Sequence, residues 1–205
     1  MIDQATIARG VRELSAADPH VAEAVARVGT PEPRIRPAGF ETLMSTIISQ
    51  QLSTESAQAI KGRVVALLQG EVDPARLLRE PDQSLRAAGL SFRKIEYIKG
   101  LAQAISEGSF APDALQHLED SSAIEALTRL RGFGRWSAEI YLMFSLGRRD
   151  IFPADDLALR IALGRLKRLP QKPTSAEARN LTAHWSPWRT VGSLFLWRFY
   201  RGAPD

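Results

Sequence analysis

Residues 130–138 read Leu-Arg-Gly-Phe-Gly-Arg-Trp-Ser-Ala, and residues 151–157 read Ile-Phe-Pro-Ala-Asp-Asp-Leu. In the first stretch Gly132 and Gly134 flank Phe133. Glycine takes positive φ at no steric cost and lets other groups approach the backbone closely, so the stretch reads as a tight hairpin. Ile124, Leu127 and Leu130 precede it at helical spacing, behind a Ser122-x-x-Glu125 capping-box pattern. A helix therefore enters the hairpin, and residues 134–146 form a helix that leaves it. In the second stretch a loop over 147–154 contains Pro153. Asp155 is then a natural N-cap for a helix over 156–166.

A helix that starts straight after such a hairpin presents free N-terminal amides to an anion, and its dipole adds to the attraction. Arg131 and Arg135 contribute positive charge. An ordinary turn between packed helices uses the same Gly-x-Gly, and an isolated Asp-Asp pair does no more than cap a helix. The two stretches gain meaning from what surrounds them.

The surroundings are helical almost throughout. Ile7, Val11 and Leu14 form one stripe of a first helix, residues 2–14. Pro19 opens a second, ending near Val28. The connector from Gly29 to Gly39 holds Pro31, Pro33 and Pro37. Residues 40–51 are apolar on Leu43, Ile47 and Ile48. Ser53 or Thr54 starts a helix reaching Leu68, and a short helix over 82–88 stops at Gly89. Ile95, Ile98, Leu101, Ala102 and Ile105 mark a helix over 91–105. Thr174-x-x-Glu177 is a further capping box, and Pro187 and Trp188 begin a last helix running to Tyr200. No alternating strand pattern or repeat is visible, so the fold class is all-α.

Composition bounds the chemistry. The 205 residues are enough for one large domain or two small lobes. There is no cysteine. That excludes disulfides, a thiol nucleophile, cysteine-ligated zinc and an iron–sulfur cluster. His20, His117 and His184 show no ligand spacing and read as solvated or core residues. The net charge of +4 is compatible with a polyanionic partner without demanding one. No apolar run reaches the roughly 20 residues of a membrane span, and Met1–Ala8 lacks signal-peptide character. The expectation is a soluble, intracellular, cytoplasmic protein.

Four segments together resemble a known family. Residues 130–138 with Asp155-Asp156 are similar to the helix-hairpin-helix, Gly/Pro-rich loop and aspartate signature of the helix-hairpin-helix-GPD DNA glycosylase superfamily. Within it, the chain is most similar to the DNA-3-methyladenine glycosylase II family. Phe40–Ala57, F-E-T-L-M-S-T-I-I-S-Q-Q-L-S-T-E-S-A, resembles that family's I-I-x-Q-Q-L-S segment. Gly89–Ala102, G-L-S-F-R-K-I-E-Y-I-K-G-L-A, and Pro187–Trp197, P-W-R-T-V-G-S-L-F-L-W, resemble two more of its helices. The resemblance covers nearly the whole chain in the expected order. The N-terminal β-rich domain of longer members has no counterpart in it, and Ile140 stands where some members carry an aromatic.

The resemblance implies two helical lobes with a DNA-binding cleft between them, forming a single glycosylase unit over 1–205. One lobe would be residues 36–147, including the hairpin, and the other 1–35 plus 148–205. It assigns catalysis to Asp156 and capping to Asp155. Breaking an N-glycosidic bond builds positive charge on the sugar, which a carboxylate stabilises while it orients water. Members that also cut the backbone place a lysine at the position of Trp136. Here water is the expected nucleophile and an abasic site the product. A flipped base needs a stacking surface, for which Trp136, Trp197 and Tyr141 are the candidates, with core packing the competing role for each. Trp185 and Trp188 are expected in the core.

Gly132, Phe133, Gly134 and Arg135 would hold DNA phosphate, and Gln51 or Leu52 would fill the gap left by the flipped base. The carbonyls of Thr128, Leu130 and Phe133 would hold a structural monovalent cation; catalysis itself needs no cofactor. The implied substrate is double-stranded DNA carrying alkylated purines, 3-methyladenine and 7-methylguanine, acted on by a monomer. A glycosylase for deaminated or oxidised bases and a non-catalytic DNA-binding protein are the alternatives.

Overall fold

The computed structural model describes residues 2–202. Its elements are α1 (Gln4–Ala17), α2 (Pro19–Val28), α3 (Phe40–Ser49), α4 (Thr54–Leu67), α5 (Pro74–Arg79), α6 (Asp82–Ala87) and α7 (Phe92–Ser106). A 3-10 segment (Pro112–His117) follows, then α8 (Asp120–Thr128), α9 (Arg135–Phe144), α10 (Leu157–Leu166) and α11 (Ser175–Leu181). A second 3-10 turn (Ala183–Trp185) leads into α12 (Arg189–Gly202). The fold is all-α: no strand occurs among the described residues. None of the described helices is long and apolar enough to cross a membrane.

The chain separates into two compact units, residues 36–141 and residues 1–35 with 142–205. The first of these units ends inside α9; the lobe implied by the family resemblance ran on to residue 147. In the 36–141 unit α7 is the organising helix, with α3, α5 and α6 packed on it. Its Ile95, Ile98, Leu101 and Ala102 are buried with Leu43, Ile47, Leu77 and Leu85. Burial of such a side chain contributes about 1.5–3 kcal/mol. In the other unit α12 contacts α1, α2 and α10. Trp185 and Trp188 are both buried there.

Two local expectations are corrected. Ser122 does not start α8; the helix begins at Asp120, with Glu119 as N-cap. The 3-10 segment buries Leu115 and delivers the chain to Glu119 already extended, which leaves Ser122 inside the helix. Helix α5, capped by Asp73, and that 3-10 segment are both too short to show a hydrophobic period. Asp155 is not the N-cap of α10; Asp156 is. The Thr174–Glu177 capping box forms with both its hydrogen bonds.

Asp18 knits the 1–35/142–205 unit together. Its side chain is 1% exposed. It caps α2 by accepting from the His20 amide at 3.1 Å. It also accepts from Lys167 Nζ at 2.6 Å and Trp185 Nε1 at 2.8 Å, and it meets His184 Nε2 at 3.2 Å. Burial by itself would raise its pKa. The hydrogen bonds and charge of Lys167, with the bonds from Trp185 and His184, outweigh burial and lower it from 3.8 to about 2. A depressed folded-state pKa means stability present above pH 4 and lost as pH falls through 2, on the order of 2 kcal/mol. Asp18→Asn should therefore destabilise the protein by about 3 kcal/mol at pH 7. Urea midpoints of the two proteins should converge as pH drops from 4 to 2; a constant gap across that window would reject this account.

Candidate active site and nucleic-acid interface

The hairpin is tied down within its own unit. Gly132 has φ +94°, and a Cβ there would lie 2.4 Å from Tyr97 Cδ2. Both facts demand glycine. Gly134 is different. It takes no positive φ, and no atom lies within 4 Å of where its Cβ would sit. Its backbone is thus open to an incoming group. Phe133 is buried beneath the turn. Helix α9 starts at Arg135, and the first amides of a helix have no acceptor within it.

Both hairpin arginines have carboxylate partners. Arg135 Nε donates to Glu139 Oε1 at 2.9 Å, and that glutamate's side chain is only 3% exposed. Arg131 pairs with Glu96 and lies over the Tyr97 ring at 6.0 Å. Positive potential at the turn therefore rests on backbone amides as well as on guanidinium charge.

A second loop is fastened to the hairpin. Gln50 Nε2 donates to the Gly132 carbonyl at 2.6 Å. Lys94 Nζ donates to the carbonyls of Ile48 and Gln50 at 2.7 and 2.8 Å, and burial lowers the pKa of this amine. Held this way, the chain turns at Gln51 with φ 56°, a left-handed conformation that is uncommon for a residue with a side chain. Gln51 and Leu52 project as the exposed tip, with Leu52 38% accessible. Gln50 and Lys94 escaped the sequence reading as anchors, because a helix-end glutamine and a helical lysine carry no local sign of a distant carbonyl.

A second candidate cluster lies in the 1–35/142–205 unit. Asp150 receives Arg189 through Nε and Nη2 at 2.7 and 2.8 Å, and Ser186 Oγ at 2.7 Å. Thr190 Oγ1 donates to the Arg148 carbonyl at 2.7 Å and accepts from the Ile151 amide at 3.1 Å. These contacts fix the loop on the start of α12. The chain then reaches Asp156, which is half-buried. Its Oδ1 accepts from the Leu159 amide at 2.9 Å and from Trp197 Nε1 at 3.3 Å. One carboxylate oxygen thus caps α10 and holds an indole. Asp155 is exposed and pairs with Arg179 at 3.6 Å.

The three aromatic candidates part company. Trp197 is half-buried, 5.9 Å from the Phe144 ring at 42°, with its N–H on Asp156. Trp136 sits in the first turn of α9 and is 42% exposed. Tyr141 is 2% exposed, and its hydroxyl accepts from the Gly39 amide at 2.8 Å. Burial raises its pKa. That leaves the Tyr141 ring almost no surface to offer a base.

The carbonyl set fits a hard cation in its chemistry. Thr128 is the last residue of α8, where carbonyls lack intrahelical donors and the dipole is negative. Leu130 and Phe133 follow in the turn, and the Leu130 carbonyl accepts from the Phe133 amide at 3.1 Å. No cluster of His, Cys, Asp or Glu suited to a metal occurs among the described residues.

A family description, the HhH-GPD superfamily of base excision DNA repair proteins, matches residues 44–187. The chain belongs to this superfamily. It is 35% identical over 162 residues to DNA-3-methyladenine glycosylase 1 of Schizosaccharomyces pombe, covering 78% of this chain and 71% of that one. It resembles the solved structure of a DNA-3-methyladenine glycosidase from Bacillus halodurans, with TM-score 0.86, 34% identity and coverage of 93% and 88%. A 3-methyladenine DNA glycosylase from Schizosaccharomyces pombe, solved with abasic DNA, matches with TM-score 0.84 and 32% identity over 95% of this chain and 98% of that one.

The two glycines separate by experiment. Gly132→Ala forces a methyl into Tyr97 at an unfavourable φ and should cost about 1–3 kcal/mol in urea denaturation. Gly134→Ala should leave the midpoint within about 0.5 kcal/mol while weakening binding to duplex DNA. Equal midpoints for the two variants would reject the Gly132–Tyr97 constraint.

Proposed function

We propose that the chain is a monofunctional DNA glycosylase that hydrolyses the N-glycosidic bond of alkylated purines, 3-methyladenine and 7-methylguanine, and leaves an abasic site. The observation that carries this is Asp156, whose Oδ1 is held by the Leu159 amide and the Trp197 indole. A carboxylate beside an aromatic ring suits both partners of the reaction. The ring attracts a cationic base by roughly 0.5–2 kcal/mol. The carboxylate stabilises the positive sugar that forms as the base departs, and it orients the attacking water.

An alkylpurine is already activated as a leaving group, so little proton donation is needed. Trp136 offers no amine to the sugar, which supports hydrolysis without strand cleavage. The names of the relatives point to the same lesion class.

The substrate is double-stranded DNA with a damaged base, bound by a monomer in the cytoplasm. The hairpin backbone at Gly132–Gly134, Phe133 packed beneath it, and the amides at the start of α9 take phosphate without reading sequence. Arg135 contributes while paired to Glu139. Leu52 is the better wedge, since an apolar side chain at an exposed tip fits a vacated stack; Gln51 supplies the turn. Carbonyls of Thr128, Leu130 and Phe133 would hold a monovalent cation whose charge adds to that of the amides.

Asp156→Asn tests the assignment. Asparagine caps a helix as well as aspartate, so the fold should persist. Release of 3-methyladenine from alkylated duplex should fall by at least about a hundredfold, with DNA binding retained. Asp155→Asn should stay near wild type. Borohydride should trap no covalent complex. Full activity in Asp156→Asn, or a trapped adduct, would overturn the proposal.

A further inference from the structure

Trp197 has a third neighbour besides Asp156 and Phe144. The guanidinium carbon of Arg34 lies 5.7 Å from its ring centroid. Arg34 comes from the connector between α2 and α3, next to Pro33, and is itself exposed. It borders a concavity of about 520 Å³ together with Glu32, Arg198 and Arg201. The indole therefore carries a carboxylate on its N–H edge and a cation over its ring before any substrate arrives.

We propose that Arg34 is a specificity-determining residue that competes with a cationic base for Trp197, and so moderates the preference for cationic over neutral lesions. The inference rests on the function proposed above. The physical reason is like charge at one site. A guanidinium and a methylated purinium are attracted by the same ring quadrupole. While Arg34 holds the ring, a cationic base meets both an occupied face and a repelling charge. A neutral base meets the occupied face but not the repulsion. Removal of Arg34 should therefore favour cations selectively.

The test is single-turnover excision from duplexes identical except for the lesion, 7-methylguanine (cationic) or hypoxanthine (neutral). Arg34→Ala should raise the ratio of the two rates by about 3- to 30-fold, the range a cation–ring contact of this kind commands. Arg34→Lys keeps the charge and should stay close to the wild-type ratio. Calorimetric titration at pH 6 should show 7-methylguanosine binding Arg34→Ala more tightly than wild type, with guanosine unchanged. Urea midpoints establish that the variants fold. A ratio that is unchanged or lower in Arg34→Ala, with the wild type active on 7-methylguanine, would overturn this inference alone. A wild-type protein that releases no alkylpurine would overturn the proposed function, and this inference with it.

Discussion

The form of the turn at residues 130–134 depends on how closely the backbone at Gly132 approaches the Tyr97 ring. A Cβ at that position would lie 2.4 Å from a ring carbon, a distance no side chain tolerates. The turn therefore has one place to rest, flat on α7. From there its carbonyl meets the Gln50 amide, and Lys94, also from α7, holds the end of α3. Each such hydrogen bond contributes roughly 0.5–1.5 kcal/mol. Together they offset the roughly 1–2 kcal/mol of a left-handed Gln51. The strain is local, and it lies where a protruding tip is needed.

Most of the helices could be read from their apolar spacing, because burial on one face repeats with the helical period. What could not be read was register at helix starts. Asp155 and Asp156 are equally good caps chemically. The choice is made by Leu159, Ala162 and Leu163, fully buried along α10, and by the Trp197 N–H, forty-one positions along the chain. Ser122 and Glu125 form a capping-box pattern that the preceding 3-10 segment makes redundant. In both cases a contact remote in sequence selected among locally equivalent options.

The same distinction runs through the site. Gly132, Phe133, Trp136, Trp197 and Asp156 are the residues that type and order single out, through resemblance to a family. Gln50, Lys94 and Tyr97 stand in segments that resemble the family, but which carbonyl or glycine each one touches across the fold is not marked by local pattern. Tyr141 is the converse case. Its type suggested a stacking face, yet its hydroxyl is committed to Gly39 and its ring is buried. Residue type limits what a side chain can do, and burial decides which of those things it does.

Each of the two candidate clusters is organised by contacts inside its own unit. Turn, tip and first helical amides are fastened to α3 and α7; carboxylate, indole and guanidinium are fastened to α10, α12 and the connector. A cluster held this way needs no substrate to order its own parts, and the entropy of arranging them is spent during folding. Binding energy from many phosphate contacts, which carry no sequence information, is then free to drive base extrusion. That separation suits an enzyme that must accept any sequence around a lesion.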